Sequence, residues 1–524
     1  MRLLRIASLA ALAVLAAAVV GASATAAPPQ AGHLTTQDSM IAPALPGVTA
    51  TPLITVGETL PSGYRFESIP DGIALEHKHA NEVVAYVNHE TSAVPFPLAP
   101  PTSFFDYTNA LVSRLVLNKH DASIVEGSYV IPSSANYQRF CSNFLATKKH
   151  GFERDLLFTN EEATDFVYRT GVAWPLNEPA DPRVPEQAGV VVAYDPEADA
   201  YKSIYGMGRH NHENSVALPW YGSPAVLSGD DTFSAPASQL YLYTADSAAE
   251  VWDDEGQLWA LVSDNPAIND YGDLTVGGSV SGKFIPVPEA IAKGEQTPLE
   301  NWSNEKNVFQ FIRVEDIAYD RTKPGVVYVA DTGEPRAIAD PATGRLRRGI
   351  AGTLGPYPNG RIFRLELDKK DPTVVKSLSI VIDADAGGYY AANPALWASV
   401  LHQPDNLETT GKSLLIQEDP GGHNNIAAGQ PQATAARIWR YDLASGTLVV
   451  VARVDQSQDT TGARLGAWES SGIVDASNTF GPGVFLVDVQ APTLSLDRVV
   501  NAFGPNTLLE REGGQLLLVR IPGT

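Results

Sequence analysis

The sequence predicts an all-β protein, a six-bladed β-propeller with long inter-strand insertions, on three observations. Short runs rich in Val, Ile, Leu, Tyr and Phe alternate with Gly, Pro, Asn and Asp, as strands joined by turns require, and long stretches of 3.6-residue periodicity are scarce. An apolar strand ending in a polar or acidic cluster recurs six times. A further type of segment, carrying an acidic residue near its start, precedes several of those strands. A large β-sandwich with insertions is the competing architecture.

Residues 1–26 read as a signal peptide. Arg2 and Arg5 form a basic head, Ile6 to Val20 an apolar stretch too short to span a bilayer, and Ala24-Thr25-Ala26 a small-x-small cleavage pattern. A secreted protein without stable membrane insertion is expected. Residues 27–52, rich in Ala, Pro, Thr and Gly without periodicity, read as a flexible leader, and 53–524 as a single propeller domain. The six apolar strands are Val83–Glu90, Asp155–Glu162, Pro224–Asp231, Val326–Asp331, Lys412–Asp419 and Gly483–Asp488. Their starts lie 72, 69, 102, 86 and 71 residues apart. Compact propeller repeats run to roughly 40–50 residues, so long insertions are expected. Arg361–Asp368 and Arg437–Gly446 alternate apolar and polar with period two, which suits strands with two different faces, and the second ends in a hairpin signal. Pro70–Leu75, Val314–Asp320 and Pro404–Glu408 read as innermost strands that set an acidic residue at the mouth of a central channel.

The 524 residues include 60 Asp+Glu against 37 Lys+Arg, a formal charge of −23 that becomes −25 once Arg2 and Arg5 leave with the signal. Such a charge argues against nucleic acid and anionic membranes as partners and suits a protein that gathers cations. A single cysteine excludes an internal disulfide framework and a CxxC zinc module. No P-loop, His-Glu-x-x-His or Gly-x-Ser-x-Gly signature occurs.

The acidic strand ends are the candidate site. Carboxylates converging on one axis repel each other, and a hard cation such as calcium, which takes about six to eight oxygens, relieves that repulsion. The candidates are Glu90, Glu161, Glu162, Glu213, Glu315, Asp405, Asn406, Glu418 and Glu469. Cys141 sits in a polar stretch about 20 residues ahead of Glu161-Glu162 and reads either as a buried filler or as a thiolate suited to a transition metal. His210-Asn211-His212-Glu213 offers a further metal motif. Arg209 and Arg313 could each hold an anion or pair with a neighbouring acid.

In this order, several segments resemble the PhoX-type alkaline phosphatase family from about residue 60 to 520. They are Val87–Glu90, Cys141 with Asn160–Glu162, Gly208–Glu213, Arg313–Asp316, Pro404–Leu407, Gln417–Gly422 and Trp468–Gly472. The resemblance implies a calcium and iron cluster at the channel mouth of a six-bladed propeller. Carried over, Cys141, Glu162 and Glu213 would hold iron, and Glu161, Glu315, Asp405, Asn406, Glu418 and Glu469 the calcium side. Arg313 would clamp the phosphate of a small-molecule ester, and a monomer is expected. The chain departs from the family in lacking a twin-arginine signal, in having Ser142–Phe152 where Gly and Trp are usual, and in Val314 where proline is usual. A calcium-dependent phosphodiesterase, phytase or lactonase on the same fold, and a non-catalytic binding propeller stabilised by calcium, are the alternatives.

Overall fold

The computed structural model describes residues 32–77, 81–94, 96–97, 103–167, 186–232, 238–386, 399–420, 434–459 and 465–524. The signal segment, the start of the leader and Gly421-Gly422 lie outside them. The described chain is all-β, with a few short helices of which Gln296–Glu305 is the longest. No described helix is long and apolar enough to cross a membrane.

Six strands occupy the centre: Pro70–Glu76, Phe140–Ala146, His212–Ala217, Val314–Tyr319, Pro404–Thr409 and Glu469–Asp475. Each packs against the next, and the last packs against the first, so they form a closed ring. Each is also the inner edge of an antiparallel run of strands leading outward. The run behind Pro70–Glu76 continues through Glu82–His89, Leu111–Asn118 and Ile124–Ile131. The runs behind His212–Ala217 and Val314–Tyr319 are joined at their outer edges by Ser279–Pro286, which makes one nine-stranded sheet. A ring of sheets, rather than two stacked layers, rules out the sandwich.

The apolar runs are continuous because both faces of each second strand are covered. Val83, Ala85 and Val87 pack toward Leu486 and Leu516 of one neighbouring sheet, while Val84 and Tyr86 pack toward Leu157 and Val192 of the other. Fully burying a side chain of this size contributes about 1.5–3 kcal/mol.

The expectation of a loose leader over 27–52 is corrected. Thr49–Thr55 pairs with Thr507–Arg520 as the outer strand of the last sheet, and Ile41–Pro43 pairs with Leu448–Val454. Met40, Ile41, Val48, Leu53 and Ile54 are buried. An edge strand needs no strict alternation and tolerates Pro43 and Pro52, so the composition resembles that of a linker.

One local device recurs around the ring. Every pairing of an inner strand with the strand behind it slips in register: between Pro70 and Ile73, Phe140 and Asn143, His212 and Ser215, Val314 and Ile317, Pro404 and Leu407, and, later in its strand, between Ser471 and Ile473. A bulge sets two residues opposite one and re-aims their side chains.

Candidate metal centre

The bulges decide which side chains face the axis. Their first residues, Asp71, Cys141, Glu213, Glu315 and Asp405, line a cavity of about 440 Å3. Their second residues, Gly72, Ser142, Asn214, Asp316, Asn406 and Gly472, line a separate cavity of about 310 Å3. The residues that follow the second strands add Glu90, Glu162 and Asp419 to the first cavity, and Asp165, Glu469, Arg139, Asn211 and Arg313 complete its charged and amide lining.

The acids form a chain of overlapping ligand sets. Asp71, Glu90 and Cys141 make one; Cys141, Glu162 and Glu213 a second; Glu213, Glu315 and Asp405 a third; Asp405, Asp419 and Glu469 a fourth. Within each set the ligand atoms lie within 4.8 Å of one another. Cys141 Sγ lies 3.3 Å from Asp71 Oδ2 and 3.2 Å from Glu213 Oε1, and its one proton can be donated to either. Asp71 Oδ1 and Glu213 Oε2 are buried oxygens without a hydrogen-bond partner.

Electrostatics make this arrangement costly without cations. Burial raises Asp71 to about 6 and, with Asp71 beside it, Glu90 to about 8. Burial and then neighbouring carboxylates push Glu162, Glu213, Glu315, Asp405 and Glu469 well above the usual carboxylate range. The same causes push the Cys141 thiol up. Arg313 is fixed by two parallel bonds to Asp231, Nε to Oδ1 and Nη2 to Oδ2, both at 2.6 Å, and Nη2 lies 3.2 Å from Glu315. Burial works against its charge, but Asp231 and Glu315 keep it protonated.

Of the metal ligands expected from sequence, the structure brings together Cys141, Glu162, Glu213, Glu315, Asp405 and Glu469, with Glu90 from the wider set. Glu161, Asn406 and Glu418 stand elsewhere. Glu161 Oε1 accepts from the Gln138 amide at 2.8 Å, and Oε2 accepts from the amides of Gly189 and Val190. Glu418 accepts from the His402 amide and Trp439 Nε1 and forms a buried pair with Arg437. Asn406 Nδ2 donates to Ser142 Oγ at 3.3 Å and faces the second cavity.

Asp71 and Asp419 are not among the expected ligands, although the sequence sets the acidic residue of Pro70–Leu75 at the channel mouth and ends Lys412–Asp419 in an acidic cluster. The signal that finds them is register: Asp71 is the first residue of a bulge, and Asp419 follows a second strand as Glu90 and Glu162 do.

The histidine motif is corrected too. His212 Nε2 donates to the Gly208 carbonyl and Nδ1 accepts from Ser228, while His210 stacks on His212 and Tyr241. Neither ring lines the cavity. Arg209 lies over the Tyr205 ring and 3.7 Å from Glu186.

No protein-family model matches the chain, and no curated protein matches it. Among solved structures, the NanB sialidase of Streptococcus pneumoniae is similar at 9% identity and a TM-score of 0.31, covering 86% of this chain and 68% of that one. An acylaminoacyl peptidase of Pyrococcus horikoshii is similar at 7% identity and a TM-score of 0.26, covering 84% of this chain and 52% of that one. Likenesses this distant carry no argument about activity.

Proposed function

We propose that this chain is a secreted six-bladed β-propeller of the PhoX-type phosphatase class, holding a cation cluster that hydrolyses small phosphate monoesters. The observation that carries the reading is the chain of four overlapping ligand sets around one cavity. The closed ring of six inner strands supports the blade count.

The donors fit cations on two grounds. Asp71 Oδ1 and Glu213 Oε2 are buried and lack partners, and such oxygens are seldom left so without a ligand. The remaining donors are nearly all carboxylates, the hard oxygens that calcium takes, with one thiol suited to a softer metal such as iron. Cys141, Glu162 and Glu213 would hold iron, and Glu315, Asp405, Asp419 and Glu469 calcium, with Asp71 and Glu90 beside the thiol. Such ions supply Lewis acidity at phosphate oxygens and activate water.

The chain's own residues do the rest. Arg313 presents a planar, permanently charged guanidinium, held in orientation by Asp231 and Glu315, to the oxygens of the transferring phosphoryl group. With cations held, the charge of the carboxylates would be offset, so a strongly acidic protein can bind an anion at this one place. The cavity admits a small ester.

The test is phosphate release from p-nitrophenyl phosphate at alkaline pH, with excess calcium and again after chelation. Turnover that chelation abolishes and calcium restores is expected. No turnover by folded, calcium-loaded protein would sink the phosphatase reading in favour of another ester or a binding role.

A further inference from the structure

Six residues immediately precede the six inner strands: Ile69, Arg139, Asn211, Arg313, Gln403 and Trp468. Two are arginines, and both line the same cavity, with Asn211 in the intervening position also on its wall. Arg139 is presented as Arg313 is. Its guanidinium is pinned by an aspartate, Asp165, as that of Arg313 is pinned by Asp231. The backbone leading into each is caught by a carboxylate at the end of a second strand: Glu161 accepts from the Gln138 amide, and Asp331 accepts from the amides of Ile312 and Arg313. Positive φ is not what singles Arg139 out, since its 46° is matched by 49° at Ile69 and 47° at Gln403. What differs is the side chain.

Arg139, Asn211 and Arg313 precede three consecutive inner strands, a part of the ring whose own acids Glu162, Asp165, Glu213 and Glu315 also line the cavity; Asp405, Asp419 and Glu469 line it from the later strands, where no arginine does. One guanidinium suffices to orient a phosphoryl group bidentately. A second, independently oriented guanidinium on the same arc is matched by a second anionic group on the ligand.

We propose that Arg139, with Asn211, forms a second anion subsite, and that the preferred substrate is a small phosphate ester carrying a further anionic group such as a carboxylate. This rests on the phosphatase reading. The experiment compares kcat/KM for p-nitrophenyl phosphate and for phosphoglycolate in the calcium-loaded protein, in Arg139→Ala and in Arg139→Lys. The unaltered protein is expected to favour phosphoglycolate. Arg139→Ala is expected to lose at least about tenfold more on phosphoglycolate than on p-nitrophenyl phosphate, the loss expected from about 1.4 kcal/mol of selective binding. Arg139→Lys, which keeps the charge, is expected to recover part of that difference. Equal losses on both esters, whether from a folding defect or a general role, would overturn the subsite while leaving the phosphatase reading standing. Absence of turnover of either ester by the unaltered protein would overturn both.

Discussion

Glu161 and Glu162 are adjacent carboxylates with different surroundings. The first is fully buried among three backbone amides, and the second faces Cys141 and Glu213 across the cavity. Glu418 and Asp419 repeat the contrast. Glu161→Gln turns an amide N–H toward backbone N–H groups, so it is expected to cost about 1–3 kcal/mol in denaturant unfolding while bound calcium per chain stays the same. Glu213→Gln is expected to do the reverse: it removes a ligand shared by two sets and lowers calcium content, yet it raises the melting temperature of chelated protein by removing a repelled buried charge. Equal calcium content in the two variants would contradict this division. The types of residue at the site are legible in the sequence, because acids recur at strand ends. Which of two neighbours faces the axis is not, because a bulge shifts the alternation by one and leaves no mark in composition.

At the scale of the strand, the bulge needs room. Gly472 has φ +43°, and a Cβ there would lie 2.4 Å from the Asp71 carbonyl oxygen. Gly472→Ala is therefore expected to displace Asp71 and weaken calcium binding in equilibrium titrations, with a lower melting temperature besides. The outer edge is as consequential. Thr49–Thr55, from near the N-terminus, pairs within the sheet that holds Thr507–Arg520, so a strand pairing ties the early and late parts of the chain together. Leu53 and Ile54 are completely buried, and Ile54→Ala is expected to cost about 2–5 kcal/mol in unfolding experiments. Continuous apolar runs such as Val83–Val87 announce strands buried on both faces, and these are the most directly legible part of the fold. Thr49–Pro52, the first part of the strand Thr49–Thr55, reads as leader because an edge strand carries only half of that pattern.

At the scale of the molecule, the buried acids set how stability responds to pH. Glu90 is raised to about 8 from an ordinary 4.5, and Asp71 to about 6 from 3.8. A carboxylate raised in the folded state binds its proton more tightly folded than unfolded. Its contribution to stability is thus present at low pH and is lost as pH rises from the unfolded value toward the folded one. Cation-free protein is expected to lose stability from about pH 4 to about pH 8, and calcium is expected to restore it in that window. A melting temperature that rises over this range in chelator would contradict that.

These scales meet in the claim that the cavity is a cation site, and the sharpest check on it is calorimetric titration of chelator-stripped protein with calcium at pH 8. Saturable binding of more than one calcium per chain is expected, reduced in Glu213→Gln and in Asp405→Asn and unchanged in Glu161→Gln. No binding by folded protein, or binding that those two ligand substitutions leave intact, would contradict it.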